Sequence, residues 1–444
     1  MNDLRLSKLT ATLLVFALLL TPIAESREME AAELAALYAG ARDQQRDALS
    51  RLVAAGDRKY ISVLITALRF AREGTAAIVD ALKRLTGEDR GEDWFAWMLY
   101  QQAHPENGVP DDFAVFKSDL LARIDPNFLK FIDADVQHRI RLEEIAWGGV
   151  VKDGIPALDY PTLISASQAS YLSASEPVFG IEINGDARAY PYRIMDWHEM
   201  FNDEIGGVSV ALAYCTLCGS GILYESTTDD YPEPFVFGSS GFLYRSNKLM
   251  YDRQTHSLWN QFTGEPVVGP LTNSGIRLNV RPVVTTTWGD WKRQHPDTKV
   301  LALDTGFERD YRPGSAYGDY FSNPDLMFPA IHNDESLAAK DEVFVLRVSP
   351  GFKAWPLDQF SGGAAVNDRV GVFNVALIGD AKSRTVRAYR RGNNEFTLDE
   401  GRLKSADGRE WAIEESDLIA EDGETLSRLP GHLAYAFAWA GNYQ

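Results

Sequence analysis

The sequence is most informative in what it has little of. Its 444 residues include only two cysteines, Cys215 and Cys218. One closely spaced pair cannot build a disulfide framework, so the fold must stand on its apolar core. No Lys/Arg run is present, and the formal net charge is −19. A surface this acidic repels phosphate backbones, which argues against nucleic acid as a partner. No apolar run is long enough for a confident transmembrane span. There is no Gly-x-Ser-x-Gly elbow and no phosphate-binding loop. Trp197-His198-Glu199-Met200 stops short of the second histidine of a zinc-protease helix.

The N-terminus reads as an export signal, residues 1–26. Arg5 and Lys8 precede the apolar stretch Leu9 to Leu20, and Pro22, Ala24 and Ser26 follow. The expected location is periplasmic or extracellular, with no stable membrane span once the signal is removed. An uncleaved N-terminal anchor is the alternative. In an exported chain the two cysteines meet an oxidising environment.

Beyond the signal the chain divides into three stretches. Residues 27–147 carry helical periodicity: Ile61, Leu64, Ile65 and Leu68 fall on one face, and Ile78, Leu82 and Leu85 repeat the pattern. Gly74 and Thr75 punctuate the two segments, with Thr75 placed as the N-cap. The run from Leu85 through Trp97 resembles a HEAT-type repeat, so the region is expected to be helical-repeat-like and to offer a surface to a protein partner. After Trp147 the texture changes. Gly148, Gly149, Gly154 and Pro156 mark a linker, and strand-like runs follow. Val178 to Ile183 leads into Asn184-Gly185, a strong hairpin signal, and Val208 to Tyr214 reads as a central strand. Gly238 to Gly241 reads as a β-turn. The fold class expected is α+β and multidomain: an all-α region, then a mainly β domain built from two related copies, 148–335 and 336–444.

The two copies emerge when the chain is slid against itself by 165 residues. Glu176 to Glu225 then aligns without a gap on Asp341 to Arg390, with eleven identities in fifty positions. Shared positions are apolar strand residues, Pro191/Pro356, Asn202-Asp203/Asn367-Asp368 and Gly206/Gly371. The differences matter more. Trp197-His198-Glu199 faces Gly362-Gly363-Ala364, Cys215 faces Asp380, and Cys218 faces Ser383. The scaffold therefore does not need these residues, as expected of a site grafted on one copy.

The segment Tyr214-Cys215-Thr216-Leu217-Cys218-Gly219 suits a tight turn with both sulfurs on one side, Gly219 taking a positive φ. Backbone N–H groups there would favour thiolates. Such a pair is a soft ligand set for copper or zinc and also a competent redox dithiol. Gly-Ser-Gly and a strand-like run follow, rather than the helix of thioredoxin-like pairs. A closed metal site needs further ligands. His198 is the first choice, Met250 and His256 weaker ones. Glu199 is the candidate general base or imidazole-orienting group. Asp252 and Arg253 are read as structural. Three functions stay open: a metal-binding protein (copper or zinc) with Cys215, Cys218 and His198 as ligands; a thiol–disulfide oxidoreductase using Cys215 and Cys218; and a non-catalytic binding protein whose disulfide pins a turn.

The motif string Asn184-Gly185-Asp186-Ala187-Arg188-Ala189-Tyr190-Pro191, Trp197-His198-Glu199, Tyr214-Cys215-Thr216-Leu217-Cys218-Gly219, Leu249-Met250-Tyr251-Asp252-Arg253, Ser257-Leu258-Trp259 and His295-Pro296-Asp297-Thr298 resembles domain-of-unknown-function family 3179 over roughly residues 150–440. The resemblance implies a bacterial or archaeal, commonly exported domain, and it carries no activity with it. The family has proline after the first cysteine where this chain has Thr216.

Overall fold

The computed structural model describes residues 28–443. The export-signal reading concerns residues 1–26 and lies outside them. Five helices of ten residues or more form the N-terminal region: Arg42–Ala55, Tyr60–Phe70, Thr75–Thr86, Trp94–Ala103 and Phe113–Ala122. The faces read from periodicity are the buried ones. Ile61, Leu64, Ile65, Leu68, Ile78 and Leu82 share a core with Trp97 and Tyr100, where each large apolar side chain contributes about 1.5–3 kcal/mol. Gly56 and Gly87 end two of the helices in the left-handed conformation. One cap differs from expectation. Gly74 occupies the N-cap with φ 75°, and Thr75 is already helical. Its hydroxyl instead donates to Glu92 at 2.8 Å. Asp93 caps the next helix, accepting from the N–H of Phe95 and Ala96.

This region is fastened to the β-rich remainder. Gln102 exchanges hydrogen bonds with the backbone of Pro329 and Ile331. The Arg245 guanidinium meets the buried carboxylate of Glu144 at 2.6 Å. No helix among the described residues is long and apolar enough to cross a membrane.

The β-rich part contains three five-stranded sheets, a three-stranded sheet and an eight-stranded one. Pro177–Ile183 and Asp186–Pro191 form the hairpin that Asn184-Gly185 foretold, both turn residues taking positive φ. Val208–Cys215 lies between Met200–Ile205 and Ser220–Glu225, so Ile222 to Tyr224 belongs to its antiparallel partner. Gly238 to Gly241 is not a free turn. It lies inside the strand Phe237–Tyr244, where the ladder to Asn247–Asp252 shifts register between Leu249 and Met250.

The 165-residue offset also relates secondary structure. Strands Pro177–Ile183, Asp186–Pro191, Val208–Cys215 and Ser220–Glu225 have counterparts Glu342–Val348, Gly351–Pro356, Phe373–Asp380 and Thr385–Arg390, with identical bounds after the shift. The shared Asn-Asp pair, inside the strands Met200–Ile205 and Ala364–Val370, does the same work in each set. Asn202 pairs through its amide with the N–H and C=O of Phe237, and Asn367 does so with Phe396. Asp203 accepts from Tyr190 and Arg188. Asp368 accepts from Trp355 and Lys353, the residues at the matching positions. Gly206 and Gly371 both sit at φ 56°.

Candidate functional site

The two cysteines close a hairpin. Cys215 ends the strand Val208–Cys215, Thr216–Cys218 makes one 3-10 turn, and Gly219 at φ 62° returns the chain to Ser220–Glu225. No helix follows the pair, as the Gly-Ser-Gly run implied. Gln261 staples the hairpin's end, its amide donating to the carbonyls of Ala213 and Ser220. Both cysteines are free and buried. The Cys218 thiol stands across this single turn from Cys215. It also lies 3.2 Å from the Ser246 carbonyl and from Oδ1 of Asn247, both acceptors. Burial pushes the Cys218 thiol well up, and the neighbouring Cys215, with the charge of Glu199, pushes it further. The expectation that turn N–H groups favour thiolates therefore fails at Cys218, which is held as a thiol.

His198 and Glu199, adjacent in sequence, serve different partners. His198 ends the helix Tyr192–His198, and Glu199 follows in the left-handed conformation at φ 53°. The His198 ring is fully buried. Its Nδ1 lies 2.8 Å from the Pro156 carbonyl, which must accept, and its Nε2 lies 2.6 Å from the Tyr311 hydroxyl. Burial lowers its pKa to about 4, so the ring is neutral and Nε2 accepts from Tyr311. Both ring nitrogens are thus engaged. Among the described residues no group of three His, Cys, Asp or Glu is gathered in one place, so Cys215, Cys218 and His198 are not brought together as one cluster. Met250 is buried in the strand Asn247–Asp252, within the apolar cluster that holds both cysteines. His256 sits in the following turn at φ 61°, its ring parallel to Tyr251. Asp252 accepts from Thr255 and Trp259, and Arg253 pairs with Asp159, so both have structural roles.

Glu199 is the centre of a buried polar cluster. Its Oε2 lies 3.2 Å from Nζ of Lys248, which also donates to the Glu199 carbonyl at 3.3 Å. The Tyr317 hydroxyl donates to Oε1. Lys248 is 3% exposed and Glu199 7%. Sequence reasoning missed Lys248 and Tyr317. The one signal was a lysine beside the apolar run Leu249-Met250-Tyr251 in the strand Asn247–Asp252.

Residues 302–341 drape over this region with little regular structure, only the 3-10 turn Gly318–Phe321. They engage each member of the Trp197-His198-Glu199 block in turn. Trp197 donates to the Asp310 carbonyl, Tyr311 bonds His198, and Tyr317 bonds Glu199. Tyr320 adds a hydrogen bond of 2.7 Å to the carbonyl of Leu217, between the cysteines.

A cavity of about 480 Å³ abuts the hairpin on the side facing Glu342–Tyr435. Tyr214 and Gly219, the residues flanking the cysteine turn, are in its wall, with Tyr192, Asp196, Arg384 and Tyr435. A Cβ on Gly219 would meet the Tyr435 ring at 3.2 Å. Asp196, also missed, accepts one hydrogen bond from the Tyr214 hydroxyl at 3.1 Å. Burial raises its pKa to about 7.

Residues 152–444 match the model of a family described as protein of unknown function (DUF3179). The chain belongs to this family. No curated protein and no solved structure matches it. The DUF3179 region thus contains the cysteine hairpin, the Glu199–Lys248 pair, the covering segment and the cavity, while the helical region precedes it.

Proposed function

We propose that the protein is an exported thiol–disulfide oxidoreductase in which Cys215 and Cys218 are the redox pair. The observation that carries this reading is two buried free thiols closing one tight turn, beside a buried acid and amine, with no group of three His, Cys, Asp or Glu gathered around a metal position among the described residues. The coincident strand bounds at the 165-residue offset support treating the β-rich part as two copies of one unit, with this chemistry on the first alone.

In the reaction the Cys215 thiolate attacks one sulfur of a substrate disulfide and expels the other as a thiolate. Cys218 then attacks the Cys215 sulfur of the mixed disulfide and releases the second substrate thiolate. Two electrons leave the cysteine pair, and its two protons end on the two released thiolates. Glu199, whose charge bears on Cys218, is the base that takes the Cys218 proton, and Lys248 balances its charge. The buried sulfurs require residues 302–341 or Tyr435 to move before a substrate reaches them.

Equilibration of the purified full chain in glutathione buffers, read by alkylation and mass, tests this. A reversible Cys215–Cys218 disulfide with a potential within about −270 to −120 mV, and a trapped mixed disulfide in Cys218→Ser, is expected. A pair that never forms a disulfide, or one that resists mild reductants, overturns the reading.

A second reading is copper(I) handling by the two thiolates. It is favoured by the placement of Met200 and Met250 in the same apolar cluster as both sulfurs, since thioethers suit Cu(I). One Cu(I) per chain, lost in Cys215→Ser and weakened in Met250→Leu, would support it.

A further inference from the structure

We propose that the cavity beside the cysteine hairpin binds a small zwitterionic disulfide, one bearing ammonium and carboxylate groups. The disulfide part rests on the oxidoreductase reading; the charged part rests on the cavity itself.

The position comes first. Tyr214 and Gly219 bracket the cysteine turn in the sequence and both face the cavity. The sulfurs lie behind that turn, and the Tyr435 ring packs on Gly219. A ligand in the cavity is therefore separated from the dithiol by one turn of backbone and the Tyr435 ring. The volume of about 480 Å³ falls within the range of small-molecule sites, about 300–1,000 Å³.

The charges decide the class. Six charged side chains line the cavity. Four cancel as pairs. Arg193 meets Glu176 at 2.7 Å, and the Arg384 guanidinium is paired with Glu342. Asp196 and Lys340 remain, and among the described residues neither has an ion-pair partner. Asp196 accepts a single hydrogen bond, from Tyr214. Lys340 lies over the Tyr320 ring and donates to the carbonyls of Tyr320 and Asn323 at 2.6 and 2.8 Å. An ammonium has three donors, so one is left for a ligand. The cavity thus presents one carboxyl and one ammonium outside any ion pair among the described residues, between walls that include the rings of Tyr192, Tyr435 and Phe321. A ligand ammonium complements Asp196, and a ligand carboxylate complements Lys340. Four of these lining residues, Lys340, Glu342, Arg384 and Tyr435, come from beyond residue 339. The part of the chain that lacks the cysteines thereby supplies half of the site's charge.

The test is calorimetric binding to the full-length Cys215→Ser/Cys218→Ser variant, which cannot react. The probes are cystine (both charges), cystamine (ammonium only), dithiodiglycolate (carboxylate only) and dithiodiethanol (neither). Cystine is expected to bind most tightly. Asp196→Asn and Lys340→Met should each weaken it about tenfold. Asp196→Asn alone should weaken cystamine, and Lys340→Met alone should weaken dithiodiglycolate. Unchanged melting temperatures show that the variants remain folded. Equal binding of all four probes, or no binding of cystine, overturns the proposal. The two readings fail separately. If the serine variant binds cystine but the wild type reduces none of the probes, the cavity stands and the oxidoreductase reading falls. If the wild type reduces dithiodiethanol and the serine variant binds no cystine, the reverse holds.

Discussion

The Tyr311 hydroxyl donates to Nε2 of His198 at 2.6 Å, across 113 positions of the chain. It ties the irregular segment 302–341 to the end of the helix Tyr192–His198, immediately before Glu199. Tyr311→Phe removes the bond and leaves the ring in place. A lost hydrogen bond of this kind costs about 1 kcal/mol, which corresponds to about fivefold more of the opened state. Alkylation of Cys215 and Cys218 in the native protein should accelerate by about that factor. An unchanged rate would show that the segment does not control access to the sulfurs.

Lys248 and Glu199 form a pair with almost no exposure. Lys248→Met leaves a carboxylate buried with only Tyr317 and local dipoles for company. Breaking such a pair costs about 3–5 kcal/mol. Lys248→Met/Glu199→Gln removes the orphaned charge and should recover much of the loss. Chemical denaturation of the two variants and of Glu199→Gln gives the coupling directly. A double variant no more stable than Lys248→Met would mean that the pair is not the source of the cost.

The sequence made the scaffold legible because its signals are local. Helix faces follow from periodicity, the hairpin from Asn184-Gly185, and the matching strand sets from an offset that needs no structure. The block Trp197-His198-Glu199 was visible as an asymmetry between the sets, and its role was not. His198 was read as a metal ligand and Glu199 as a base or an orienting group; the contacts of all three members with the covering segment were not foreseen. That segment has no periodicity, so its tyrosines gave no sign of where they dock. Asp196 was within reach of the same comparison, since Ser361 stands at the matching position. Lys248 and Tyr317 reach Glu199 from 49 and 118 positions away, a distance that spacing motifs do not cover.

Asp196 makes stability depend on pH with a defined sign. Its pKa rises from 3.8 to about 7, chiefly through burial; Tyr214 and Arg384 oppose the shift and Glu199 adds to it. Below the unfolded pKa both states are protonated and the carboxyl contributes its full stability. As pH rises from about 4 to 7 the unfolded chain ionises and the folded one does not, so that contribution is lost. The loss is of the order of 4 kcal/mol at most. Asp196→Asn cannot ionise. It should match the wild type at pH 4 and become progressively more stable than it up to pH 7, with a constant difference above. A difference that is flat across this range would place the Asp196 pKa near its ordinary value.

Gly219 combines a positive φ with a close neighbour. Gly219→Ala pays for the left-handed conformation, about 1 kcal/mol, and its Cβ presses on the Tyr435 ring. In Tyr435→Leu the same substitution should cost only the backbone component. The coupling between the two positions, measured by thermal melts of the four proteins, should therefore be non-zero. Additive effects would show that Tyr435 does not rest on the cysteine turn.

Asp203 and Asp368 occupy matching strand positions with matching donors, and they differ in burial. The Asp203 side chain is 8% exposed and that of Asp368 26%. Asp203→Ala strips a buried carboxylate from Arg188 and Tyr190 and should cost about 3 kcal/mol. In Asp368→Ala water can reach Lys353, and the cost should be nearer 1 kcal/mol. Neither substitution touches the sulfurs, so alkylation rates of Cys215 and Cys218 should stay at the wild-type value in both. Equal losses of stability would mean that the hydrogen-bond geometry at these strand positions, rather than desolvation of the charges, sets the contribution of the aspartate. A change in thiol reactivity in Asp368→Ala alone would instead show that the second strand set controls access to the cysteine hairpin, through the wall that it lends to the cavity.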